Sequence, residues 1–128
     1  MNMQELIIES IQVVTDITLD QMRERTRKRH ICDARRLYCG IMRELMPQVP
    51  FQALAETLNI MLSTGKPDHP AAYQYAKTDA EVQLSDNAYR THRQQIVDRV
   101  NRRSVTGMSG VQAWGIAWGG MECPRLSR

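Results

Sequence analysis

Between positions 31 and 45 the residues Ile31, Ala34, Tyr38, Ile41, Met42 and Leu45 recur every three or four places, and Pro47 closes the run. That spacing lays six apolar side chains along one stripe of a long helix. A helix with a single apolar stripe gains most of its stability from whatever packs on that stripe. The rest of the chain is therefore expected to supply the cover, and its 128 residues suffice for one domain with appended ends.

The flanking segments have the same periodicity. Leu6, Ile7, Ile11 and Val14 predict a short amphipathic helix over about residues 3 to 14. Thr18 and Gln21 have the spacing of a capping box for a second short helix to about residue 23, with Leu19 and Met22 inward. Pro50, Phe51, Leu54, Ala55 and Leu58 predict a helix ending near Asn59, and NIMLSTGKP is the turn that follows. Asp68 or His69 then caps a helix of small residues, with Pro70 in its first turn and its end near Leu84. Ala88, Tyr89, His92, Ile96, Val97 and Val100 give the last helix an inward face. The expected fold is all-α, a small bundle of about six helices over residues 1–103. Residues 104–128 form a tail that holds both tryptophans and most glycines without regular order.

Charge is unevenly placed. From Arg23 to Arg36 seven bases face two acids, a net +5 in a chain of net +3, which leaves −2 for the remainder. Arg27, Lys28 and Arg29 fall on the loop and first turn leading into the long helix. Helix dipoles disfavour cations there by about 0.3 to 1 kcal/mol each. Cations placed against that preference point to an anionic partner.

The sequence has no P-loop, no G-x-G-x-x-G, no H-E-x-x-H and no G-x-S-x-G, so no enzymatic activity, cofactor or small-molecule substrate is expected. His30, His69 and His92 are scattered without metal-ligand spacing, and no metal is expected. His30 reads as part of the basic surface and His92 as half-buried. Cys32, Cys39 and Cys123 are odd in number and lack C-x-x-C spacing, which reads as reduced thiols. No apolar stretch is long enough to span a membrane, and MNMQELIIES is not the basic start of a secretory signal, so a cytoplasmic protein is expected.

The helices at about 50–59 and 68–84, joined by a turn and preceded by a helix with a basic start, have the layout of a helix-turn-helix. The stretches ITLDQMRERTRKRHICDARRLYCGIMREL, VPFQALAETL and GKPDHPAAYQYAK, in that order, resemble the carboxy-terminal DNA-binding domain of the bacterial replication initiator DnaA, a relative of the Trp repressor helix-turn-helix. The likeness covers about residues 3 to 100. Where that family has a glycine, a basic residue and then Asp-His-Thr-Thr, this chain has Gly65, Lys66, an extra Pro67, and Asp68, His69, Pro70 and Ala71. Its turn is also longer by several residues.

The resemblance implies sequence-specific binding of double-stranded DNA, without the family's ATPase. By that similarity Arg27 reaches the minor groove, Arg35 and Arg36 lie near phosphates and adjacent bases, and Asp68 and His69 open a recognition helix in the major groove. Lys66 and Lys77 flank that helix at phosphates. Gln74, one turn in, has the donor and acceptor pair that matches adenine. Arg27, Lys28, Arg29, Arg35 and Lys66 are the expected counterion-releasing set. The alternative is a protein-interaction module on the same scaffold, favoured by the small apolar residues Pro70, Ala71 and Ala72.

Overall fold

A computed structural model describes residues 2–107 of the chain. Helix α1 (Met3–Thr15) opens on a capping box: Glu5 N donates to Asn2 Oδ1 at 2.8 Å and Asn2 N donates back to Glu5 Oε1 at 3.3 Å. It closes on Asp16, whose φ of 63° is the left-handed cap that breaks the helix. The Thr18–Gln21 box forms as expected and starts α2 (Leu19–Met22). Then follow α3 (Arg29–Leu45), α4 (Phe51–Thr57), α5 (His69–Ser85) and α6 (Asn87–Gly107). Among the described residues all regular structure is helical, apart from one isolated bridge between Met61 and Pro67.

The long stripe of α3 is the centre of the molecule. Ile31, Ala34, Tyr38, Ile41 and Met42 are all buried, α5 packs along one side of the helix and α1 along another. Leu6, Ile7 and Ile11 of α1 belong to the same core as Ile96, Val97 and Val100 of α6, and the two helices pack together. Tyr38 is the largest fully buried side chain, and its hydroxyl accepts a hydrogen bond from Gln4 Nε2 at 3.2 Å. A buried phenol without such a donor or acceptor partner would cost about 1–3 kcal/mol.

A buried polar node joins α5 and α6. The Asp79 carboxylate accepts from Tyr89 Oη at 2.5 Å, from Arg93 Nε at 3.0 Å and from Gln83 Nε2 at 3.2 Å, and Arg93 reaches on to Glu44 at 2.8 Å. Burial pushes the Asp79 carboxyl above its ordinary range, against the opposing pull of the Tyr89 hydroxyl and the Arg93 guanidinium. Gly40 makes room for this node. A methyl group there would fall within 2.6 Å of Asp79 Cβ and nearer still to its carboxylate, so α3 and α5 could not approach as they do.

Three boundaries and one face differ from the sequence expectation. Helix α4 stops at Thr57, since Asn59 turns left-handed at φ 57°. Helix α6 runs past residue 103 to Gly107. Helix α5 spans His69–Ser85, one residue further than expected, with Asp68 as its cap. His92 and Ala88 are exposed, because the inward stripe of α6 runs through Tyr89, Ile96 and Val100, and both lie at its edge. The tail beyond residue 107, with both tryptophans and Cys123, lies outside the described residues. Cys32 and Cys39 are free thiols. No helix among the described residues is long and apolar enough to cross a membrane.

Candidate nucleic-acid interface

The loop of residues 23–28 is rich in charge and has no regular structure of its own, yet it is firmly held. Its splint is Arg35. From α3 this side chain donates Nε to the Met22 carbonyl at 2.8 Å, one terminal nitrogen to the Thr26 carbonyl at 2.9 Å, and the other to the Glu24 carbonyl. It also reaches the Tyr75 hydroxyl of α5 at 3.4 Å. One guanidinium thus binds the last carbonyl of α2 and two alternate carbonyls of the loop, and ties the loop to α3 and α5. With those carbonyls turned inward, the side chains of Arg25 and Arg27 remain exposed.

This corrects the sequence expectation for Arg35, which is only 7% exposed and faces the protein rather than a phosphate. The signal was present in the spacing: Arg35 lies four residues after Ile31 and three before Tyr38, in phase with the apolar stripe. Arg36 also departs from expectation. It is half-buried, paired with Asp33 at 2.5 Å and donating Nε to Thr78 Oγ1 at 3.0 Å, which leaves it little freedom to meet DNA. Arg29 is 84% exposed but leans on Asp86 at 3.6 Å and Asp33 at 3.9 Å. It lines a separate hollow with His30 and His92, near the ends of α1 and α5.

Beside the splinted loop lies an open groove of about 570 Å³. Glu24, Arg25, Thr26 and Arg27 line it from the loop, Cys32 and Arg35 from α3, Leu58, Asn59, Ile60 and Met61 from the end of α4 and the turn after it, Asp68 from the N-cap of α5, and Ala71 and Tyr75 from α5 itself. The basic loop and the opening turn of α5 therefore share one surface. Arg25, one of the seven bases between positions 23 and 36, belongs to this surface as well. Its place beside Arg27, two positions along an extended loop, was the available clue.

The start of α5 is shaped by its own sequence. Asp68 is the N-cap, its Oδ1 accepting from Ala71 N at 3.2 Å, so this carboxylate already has a structural use. Pro70 falls in the first turn, where a missing N–H costs nothing. The outward stripe of α5 consists of His69, Pro70, Tyr73, Gln74 and Lys77, all exposed. Tyr73 packs edge-on against Phe51 with ring centroids 5.5 Å apart, and the Arg43 guanidinium lies 4.7 Å from the same Phe51 ring. These contacts fix α5 against the start of α4. Gln74 lies three residues after Ala71 and four before Thr78, on the edge of the stripe nearest the groove.

Arg25, Arg27, Lys28, Lys66 and Lys77 are exposed, and none has an ion pair or side-chain hydrogen bond among the described residues. Lys28 stands at the N-cap position of α3, where no side chain caps the helix and no acid occupies the first turn. The positive end of the helix dipole thus adds to the cations around it. Among the described residues no group of three or more His, Cys, Asp or Glu is placed to hold a metal ion. No family model, no curated protein and no solved structure matches this chain.

Proposed function

We propose that this chain is a module that binds double-stranded DNA and performs no chemistry of its own, with α4, the turn after it and α5 acting as a helix-turn-helix. The observation that carries this reading is the groove in which the unpaired cations Arg25 and Arg27 meet the opening turn of α5. Loop cations that hold phosphates set the register of a protein on a duplex, and a helix start beside them reads base edges. In this reading α5 enters the major groove with His69 and Gln74 toward the bases, Asp68 holding the helix start in shape, and Lys66 and Lys77 at phosphates on either side. Arg35 acts through the loop, as a positioning residue. The resemblance of the sequence to the DnaA carboxy-terminal domain supports the same reading.

A second reading, a protein-interaction module, has its own support in apolar side chains left in water: Leu84 is 86% exposed and Tyr73 49%. Titration of labelled duplexes by fluorescence anisotropy separates the two. Reversing the charge of the loop with Arg25→Glu and Arg27→Glu is expected to weaken binding on every duplex by at least about tenfold, with the helical circular dichroism unchanged. Unchanged binding in that variant would remove the basis for the DNA reading.

A further inference from the structure

The connection from α4 to α5 is not a slack loop. Asp68 N donates to the Ile60 carbonyl at 2.9 Å, Leu62 N to the Lys66 carbonyl at 2.8 Å and Gly65 N to the Leu62 carbonyl at 2.9 Å, and Met61 and Pro67 form the antiparallel bridge. Residues 60–68 are thus a small hydrogen-bonded hairpin. Gly65 is required by backbone conformation, with φ at 85°, since a Cβ there would meet nothing within 4 Å. Ile60 anchors the base of the hairpin on the core.

The adjacent apolar residues go the other way. Met61 is 41% exposed and Leu62 46% exposed, and Met61 lines the groove together with Arg25 and Arg27. Lys66, exposed and opposite Leu62 across the hairpin, adds a further unpaired cation. A rigid hairpin that holds two apolar side chains in water between cations matches the surface of a polyanion with apolar interior faces, which is the chemistry of stacked bases behind phosphates. Apolar wedges of this kind part base steps and kink a duplex by roughly 20 to 90°.

We propose that the 60–68 hairpin is a second DNA-contacting element, in which Leu62 and Met61 press against a base step while Lys66 holds the neighbouring phosphate. This rests on the DNA-binding reading above and adds to it a source of sequence preference, since pyrimidine–purine steps open most easily. The longer turn, which separates this chain from the family it resembles, then has a use.

The test uses duplexes selected by the protein from a random pool, with 2-aminopurine placed at successive steps and a donor and acceptor dye at the two ends. The wild-type protein is expected to raise 2-aminopurine fluorescence at one step and to shorten the end-to-end distance. The Met61→Ser, Leu62→Ser double variant is expected to bind with an unchanged salt slope but to lose both signals, and Leu62→Phe, which keeps an apolar wedge, to retain them. The proposal is overturned if the double variant gives the same signals as wild type, or if wild-type protein binds selected duplexes without either signal. Absence of any wild-type binding would instead overturn the DNA-binding reading on which it stands.

Discussion

In the second half of α5, Asp79 is 3% exposed and its carboxylate is enclosed by Tyr89, Arg93 and Gln83. At the first turn of the same helix, Arg25 and Arg27 line an open groove with no acid bonded to them. Both regions concentrate charge next to α5, but only in the first are the charged groups bonded to one another. A buried charge left without partners costs several kcal/mol, so it survives in a fold only with its partners supplied by the chain. An exposed charge is under no such demand, because water solvates it, so Arg25 and Arg27 persist without an ion pair even though Glu24 and Asp68 line the same groove. The difference in partnering therefore separates residues that hold this molecule together from residues whose side chains stay available at its surface.

Removing a partner from the buried node should have the largest effect. Asp79→Ala leaves the Arg93 guanidinium and the Tyr89 hydroxyl without their shared acceptor, and a loss of about 3–5 kcal/mol in urea unfolding is expected. Gly40→Ala, which drives a methyl group into Asp79, should fall in the same class, at about 1–3 kcal/mol or more. If either variant were as stable as wild type, the node would not be the clamp between helices described above.

Arg35→Ala sharpens the comparison because it converts one region's logic into the other's. The last carbonyl of α2 and two loop carbonyls lose a charged donor, and a stability loss of about 3 kcal/mol is expected, together with weaker duplex binding although Arg35 faces the protein interior. Hydrogen exchange should show the amides of residues 23–28 opening first. A variant that lost affinity without any faster exchange in the loop would make Arg35 a direct contact.

Alkaline pH probes the buried side alone. Burial raises the Cys39 thiol to about 12 from an ordinary 9.0, and burial likewise raises the Tyr38 and Tyr89 hydroxyls above 10.0. Raised values mean that the folded chain keeps protons that the unfolded chain has released. These contributions are therefore complete below about pH 9 and decline as the pH rises above it, by at most about 1.4 kcal/mol per unit for each group. Urea midpoints at pH 8 and pH 10.5 should show the decline, and Cys39→Ala should reduce it. On the open side, Arg27→Ala should leave stability within about 0.5 kcal/mol of wild type, while lowering duplex affinity by about tenfold on all sequences.

Much of this architecture was legible from spacing. The stripe of α3, the Thr18–Gln21 capping box, the Asp68 cap and the basic loop all follow from local patterns, because helix period and capping chemistry act within four residues. What eluded local reading were the partners. Arg35 and Arg27 belong to one run of bases, and only the phase of Arg35 with Ile31 and Tyr38 marks it as inward-facing. Asp79 is likewise in phase with Ala72 and Ala76, but its partners Tyr89 and Arg93 come from α6 and its space from Gly40 on α3. Pairing across helices is a property of packing. For the same reason the hairpin at 60–68 read as a plain turn, since its hydrogen bonds depend on where α4 and α5 fix its two ends.

The most direct test of the proposed DNA surface is the salt dependence of duplex binding. Arg25, Arg27, Lys28, Lys66 and Lys77 neutralising about five phosphates would release their counterions, and log affinity should fall with log salt at a slope of about −4 to −5. A flat response between about 50 and 200 mM salt, or a slope that Arg25→Glu and Arg27→Glu do not reduce, would contradict the assignment of this surface to DNA.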